Sequence, residues 1–157
     1  METTLILTLK KGKVMGFVVS MMDKSREKKW NFERKMLRNI NIRTMETNIK
    51  EWIRPVMPFH FQSYPFLMDQ CLDMTIDAYL LGADFGRFGY YGEPVRQAKQ
   101  RCFGELTELS HSLCAALSGW NQTDSPEHML IATDMLLDHW WEKGFLDSCK
   151  AHKLRLQ

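Results

Sequence analysis

Gly82-Ala-Asp-Phe-Gly-Arg-Phe-Gly-Tyr-Tyr-Gly-Glu-Pro94 packs four glycines and four aromatic rings into one short span, and its conformation decides how many helices the chain has. Glycine permits positive φ and close backbone approach, whereas aromatic rings seek burial. The glycine spacing is wrong for a phosphate-binding loop and no strand precedes it. The expectation is a Gly-aromatic turn between the third and fourth helices, its rings plugging the core or lining a partner pocket.

Upstream of this span, Leu67, Cys71, Met74, Ala78 and Leu81 recur at helical spacing behind Pro65, a residue suited to a first helical turn. Met68, Leu72, Ile76 and Tyr79 widen the stripe until only Asp69, Asp73 and Asp77 mark a polar line, which reads as a central helix. Downstream, a helix is expected from about Pro94 to Leu117, with a bundle seam of Cys102, Leu106, Leu109, Leu113 and Ala116 and an end at Gly119. Asn121 to Asp124 read as a turn, and Ser125-Pro126-Glu127 opens the last helix. Met129, Leu136, Leu137 and Trp140 face its core, Leu130 and Trp141 lie beside them, and Gly144 stops it ahead of a basic tail, Phe145 to Gln157.

Before the central helix, Lys24 to Ile53 has no Gly or Pro, a break at Asn39 and Asn41, and a close at Pro55 and Pro58. The fold expected is all-α: an antiparallel bundle of about five helices. Residues 1–22 are expected to be a poorly ordered or untranslated extension, and 23–157 a single helical domain with a basic C-terminal tail. Lys-Lys-Gly-Lys-Val ahead of Met15 is what a purine-rich ribosome-binding site encodes when read in frame, so translation is expected to start at Met15, Met21 or Met22.

Apolar residues make up 45% and charged residues 25% of the 157, an ordinary globular composition that excludes general disorder. No apolar run reaches the length of a membrane span. Cys71, Cys102, Cys114 and Cys149 form no Cys-x-x-Cys pair, and with no export signal they read as reduced thiols of a cytosolic protein. The net charge of +2 conceals a split: residues 1–43 hold 11 Lys/Arg against 4 Asp/Glu, 44–149 hold 7 against 15, and 150–157 hold 3 against none. Basic ends on an acidic body suit nucleic acid, or ends that fold back on the body or dock a neighbouring subunit. The acidic surface already in the chain favours the second.

Three constellations bear on chemistry. Glu108-Leu-Ser-His111 has the spacing of di-iron bundles, but it falls off the inward seam and has no second copy. Asp73 and Asp77 stand one turn apart, as do Asp134 and Asp138, an arrangement that can hold Mg²⁺ when two such pairs face each other. More readily, Asp73 or Asp77 bonds the glycine-rich turn or Arg87. The five histidines form no catalytic order with Ser or Cys.

From Ala78 through Glu93 the sequence resembles the YbaK-like proteins of spore-forming bacilli, a family without an assigned activity and distinct from the tRNA-editing family of the same name. Cys71, Asp73, Trp140-Trp141 with Gly144-Phe145, and Lys153-Leu-Arg155 fit that resemblance, which extends from about Met21 to the C-terminus. Asp77 stands where a glutamate is expected. The resemblance implies a small cytosolic helical protein with a role in sporulation or stationary phase. The functional candidates are Asp73, Asp77, Asp84, Arg87, Tyr90, Tyr91, Glu93, Trp140 and Trp141. The first expectation is a module that binds an unknown protein partner or itself. A metal-dependent hydrolase on the central helix and nucleic-acid binding by the basic N-terminal helix are the alternatives. No cofactor, metal ligand or catalytic residue is assigned.

Overall fold

The computed structural model describes residues 12–57, 63–119 and 126–155, with the side chains of 12–20 and 126 left aside. Every regular element among the described residues is a helix: α1 (Gly12–Arg38), α2 (Ile42–Ile53), α3 (Pro65–Tyr90), α4 (Val95–Arg101), α5 (Phe103–Ser118) and α6 (Pro126–Arg155). That is six helices where about five were expected. Residues 1–11 of the expected extension, the turn at 121–124 and the cap at Ser125 lie outside the described residues, whereas 12–22 belong to α1. By packing, the chain divides into one unit up to Lys35 and a second from Met36 onward.

Local chemistry explains several helix ends. Asn41 ends the break after α1 by accepting the Thr44 N–H at 3.2 Å, so it caps α2. Met45, Ile49 and Ile53, spaced one turn apart, then bury one face of α2. Proline opens α3, where its missing N–H costs nothing.

The glycine-rich span is not a turn. Gly82 to Tyr90 continues α3, and only its last glycine turns the chain. Gly92 has φ +97, its N–H bonds the Gly89 carbonyl at 3.0 Å, and the Glu93 N–H bonds the Phe88 carbonyl at 2.9 Å. This is a Schellman motif, which needs a left-handed residue one past the cap.

Gly82 instead lies against α6. A Cβ there would collide with the backbone carbonyl of Trp141, and one on Gly144 would collide with the carbonyl of Tyr79. Gly86 sits on Ser148, and Gly89 on the Phe145 ring. The contact pairs 79–144, 86–148 and 90–152 advance together, so α3 and α6 run in the same direction. The antiparallel arrangement expected from sequence therefore does not describe this pair.

Gly144 also fails to stop the last helix. α6 passes through it to Arg155, because the glycine is needed where α3 comes closest. Glycine in a helix interior costs about 1 kcal/mol relative to alanine. The close approach offsets this by letting large rings pack around it: Tyr79, Trp140 and Trp141 are fully buried, and Phe145 nearly so. Each such ring contributes roughly 2–3 kcal/mol on burial. Two polar ties fix the register, Ser148 Oγ donating to the Ala83 carbonyl at 2.6 Å and Tyr79 Oη donating to Asp147 at 2.8 Å.

The single helix expected over 94–117 is two, since Cys102 (φ −115, ψ 20) breaks it. The inward seam of α5 is Cys102, Leu106, Ser110, Leu113 and Leu117, with Leu109 and Ala116 only half-buried. α5 runs opposite to α6, as Ser110 meets Thr133 and Asp134 while Lys99, further back, meets Asp138 and Glu142.

Gly144→Ala should destabilise the protein by roughly 2–3 kcal/mol, because the backbones must part to admit a methyl. Gly104, on α5 with nothing near its Cβ position, is the control. Gly104→Ala should be neutral or stabilising by up to about 1 kcal/mol. Urea unfolding of the two variants checks both, and equal effects would contradict the contact.

Candidate functional site

The residues singled out in the sequence disperse over three places. Asp73 and Asp77 are exposed on α3. Partial burial, and then the Asp73 charge, push the Asp77 carboxyl above its ordinary value. Arg87 stands ten residues further along the same helix, about 15 Å away, too far for the bond expected of it. Asp134 and Asp138 do not complete a four-acid site either, since Ser110 donates to Asp134 and Lys99 pairs with Asp138. Among the described residues no group of three or more His, Cys, Asp or Glu could hold a metal ion.

The C-terminal end of α3 gathers a second set. Arg101 Nε donates to both oxygens of Glu93, at 2.9 and 3.2 Å, and its guanidinium lies 4.6 Å from the Phe88 ring centre. Arg87 stacks on the same ring at 5.0 Å. Tyr90 meets Tyr91 edge-on at 5.2 Å, and Tyr91 is 81% exposed. Asp84 is half-buried on the same helix. The Glu93–Arg101 pair and the Phe88 ring between two guanidiniums tie down the Schellman turn.

Trp140 and Trp141 are wholly buried and present no surface to a partner. Among the described residues the Trp140 indole N–H has no hydrogen-bond partner, while that of Trp141 faces the Cys102 sulfur. Trp141 stacks on Phe145 at 5.3 Å with the Lys99 ammonium 5.3 Å from its ring centre, and Trp140 packs on Tyr79 and His139. The Cys71 thiol is also sealed in the core, and burial pushes it up to about 12, so it is no nucleophile.

A cleft of about 480 Å³ lies between α5 and α6 with Lys99 at one end. Leu106 and Leu137 belong to its buried floor, Phe103 and Met135 stand out at its edges, and Ser110, His111, Asp134 and Asp138 supply polar groups. Lys99 is held at 2.5 Å from Asp138 and 2.7 Å from Glu142. Burial opposes its charge, but the two carboxylates outweigh that and raise the ammonium above the ordinary lysine range.

Sequence reasoning missed this cleft, although a countable signal was present. No Lys or Arg occurs between Cys102 and Glu142, whereas Glu105, Glu108, Glu127, Asp134, Asp138 and Glu142 all do. Of these, Asp134 and Asp138 line the cleft, and Lys99, from outside that stretch, lines it as well and pairs with Asp138.

Among the described residues no helix is long and apolar enough to cross a membrane. Fold and cleft together define an all-helical protein, organised by a glycine-mediated helix pair and carrying an apolar-edged groove with Asp134, Asp138 and Lys99 in its lining. The chain belongs to the family described as Protein of unknown function (DUF2521), whose model matches residues 15–157. It is similar to the "Uncharacterized protein YbaK" of Bacillus subtilis (strain 168), 31% identical over 147 residues that cover 91% of this chain and 100% of that protein. No solved structure matches the chain.

The raised Asp77 pKa means that ionising this carboxyl costs the folded state stability at neutral pH. Asp77→Asn should therefore be more stable than the parent at pH 7. The advantage should shrink as pH falls through the raised folded-state value and be gone below the unfolded value of 3.8, where the aspartate is neutral in both states. Thermal melts across pH check this; a variant less stable at pH 7 would show that the charge is used.

Proposed function

We propose that this protein acts by binding polypeptides, and that the α5–α6 cleft is the docking surface for a basic amphipathic helix. The observation that supports this is the pairing of exposed apolar side chains with carboxylates, Asp134, Asp138 and Glu142, that outnumber the Lys99 ammonium beside them. Phe103 is 64% exposed and Met135 56%, with Ile131 one turn before Met135 at 54%. Large side chains left in water around a groove are a cost that a partner's apolar face removes. The surrounding carboxylates steer a cationic partner and discourage an acidic one.

This develops the expectation of a module that binds a partner or itself, and moves its surface from the tryptophans of α6 to the cleft. The exposed Tyr91 at the end of α3 offers a smaller second patch. The hydrolase alternative lacks a third metal ligand near Asp73 and Asp77 among the described residues. A sporulation or stationary-phase setting rests on the family resemblance alone.

A fluorescently labelled synthetic helix with a Leu/Trp face and a Lys/Arg face is a suitable probe. Anisotropy titration should give a Kd of order micromolar, weakening as salt rises. Phe103→Ser combined with Met135→Ser should weaken binding about tenfold or more while circular dichroism stays unchanged. Absence of binding, or binding indifferent to those changes, would sink the proposal.

A further inference from the structure

We infer that the natural occupant of the cleft is the 21–35 segment of α1 from a second copy of this chain, with Trp30 as its anchor. This rests on the reading of the cleft as a docking surface for a basic helix.

The chain carries such a helix itself. Residues 21–35 hold six Lys/Arg against three Asp/Glu, the opposite balance to the stretch behind the cleft. Apart from half-buried Phe32 and Glu33, every side chain in 21–35 is exposed, Trp30 to 60%. Arg26, Trp30 and Arg34 follow one another at intervals of four, so they form one stripe along the helix, an indole with a guanidinium one turn to either side.

The cleft offers the complementary set. Leu106 and Leu137 form a floor for the indole, Phe103 and Met135 are its walls, and Asp134 and Asp138, one turn apart on α6, are acceptors for the arginines. Trp and Arg are the residue types that dominate interface energetics, and a planar guanidinium meets a carboxylate on two bonds at once. Each copy carries both the helix and the cleft. A two-fold pair therefore makes the contact twice, closing on itself as a dimer. The same pairing gives the charge split a use, since it brings the basic segment of one chain to the acidic stretch of another.

Sedimentation velocity of the full chain over a concentration series is the test. The parent is expected to show a monomer–dimer equilibrium that shifts toward monomer as salt rises. Trp30→Ala and Met135→Arg, both at exposed positions, should each weaken dimerisation about tenfold or more with helix content unchanged. Mixing the Trp30→Ala chain, whose cleft is intact, with the Met135→Arg chain, whose α1 is intact, should restore a heterodimer through one contact. A chain that stays monomeric at every concentration overturns the inference, as does a dimer that Trp30→Ala leaves untouched. If the synthetic basic helix still binds a monomeric chain, the docking surface stands and only its occupant is wrong. If the probe fails to bind, the docking surface itself falls.

Discussion

Two backbones touch where Gly82 meets the Trp141 carbonyl and Gly144 meets that of Tyr79, and this contact constrains everything built around it. Helices usually stand 8–10 Å apart because side chains hold them there. Here the side chains have been removed at the crossing and reappear beside it as Tyr79, Trp141 and Phe145, which close over the seam. Such an approach also allows Cα–H···O contacts, each a small gain. The conformational cost of helical glycine is accepted at the few positions where no other residue fits.

The same contact explains the cleft. α3 and α6 run in parallel, so the chain cannot pass from one to the other through a short turn. It must first travel back along them, and α4 and α5 are that return path, set off sharply by the Schellman turn at Gly92. α5 is thereby laid antiparallel to α6. It packs through Cys102, Leu106, Ser110, Leu113 and Leu117, and between Ser110 and Lys99 it leaves the groove open. Lys99 ties the return path to α6 by joining Asp138 and Glu142. The groove is a by-product of connectivity, and its chemistry then comes from an acid-only stretch of sequence.

Much of this was legible in the residues. Asn41, Pro65 and Pro126 mark helix starts because capping and the missing proline N–H are local effects, independent of the rest of the fold. The exposed line of Asp69, Asp73 and Asp77 was equally readable. Gly82, Gly86, Gly89 and Gly144 were misread because their propensity is also local, and it points to a break that tertiary packing overrides. Whether such a glycine ends a helix or admits a neighbour depends on a segment some sixty residues away. Trp140 and Trp141 drew attention as a functional pair for a related reason. α6 is apolar on several sides, and its periodicity does not say which rings the partner helices cover. The groove itself depends on the break at Cys102, which has no proline, glycine or cap to announce it.

The bond from Ser148 to the Ala83 carbonyl closes a span of 65 residues, and that separation has a temporal meaning. During synthesis α3 leaves the ribosome well before the part of α6 that covers its glycine face. At about 5–20 residues per second the interval is roughly 3–13 s. For that time the helix shows water a strip of bare backbone and the apolar side chains beside it, with no partner yet made. The nascent chain therefore passes through a stage in which the glycine face of its central helix is uncovered, and that part of the core closes only when the last helix arrives.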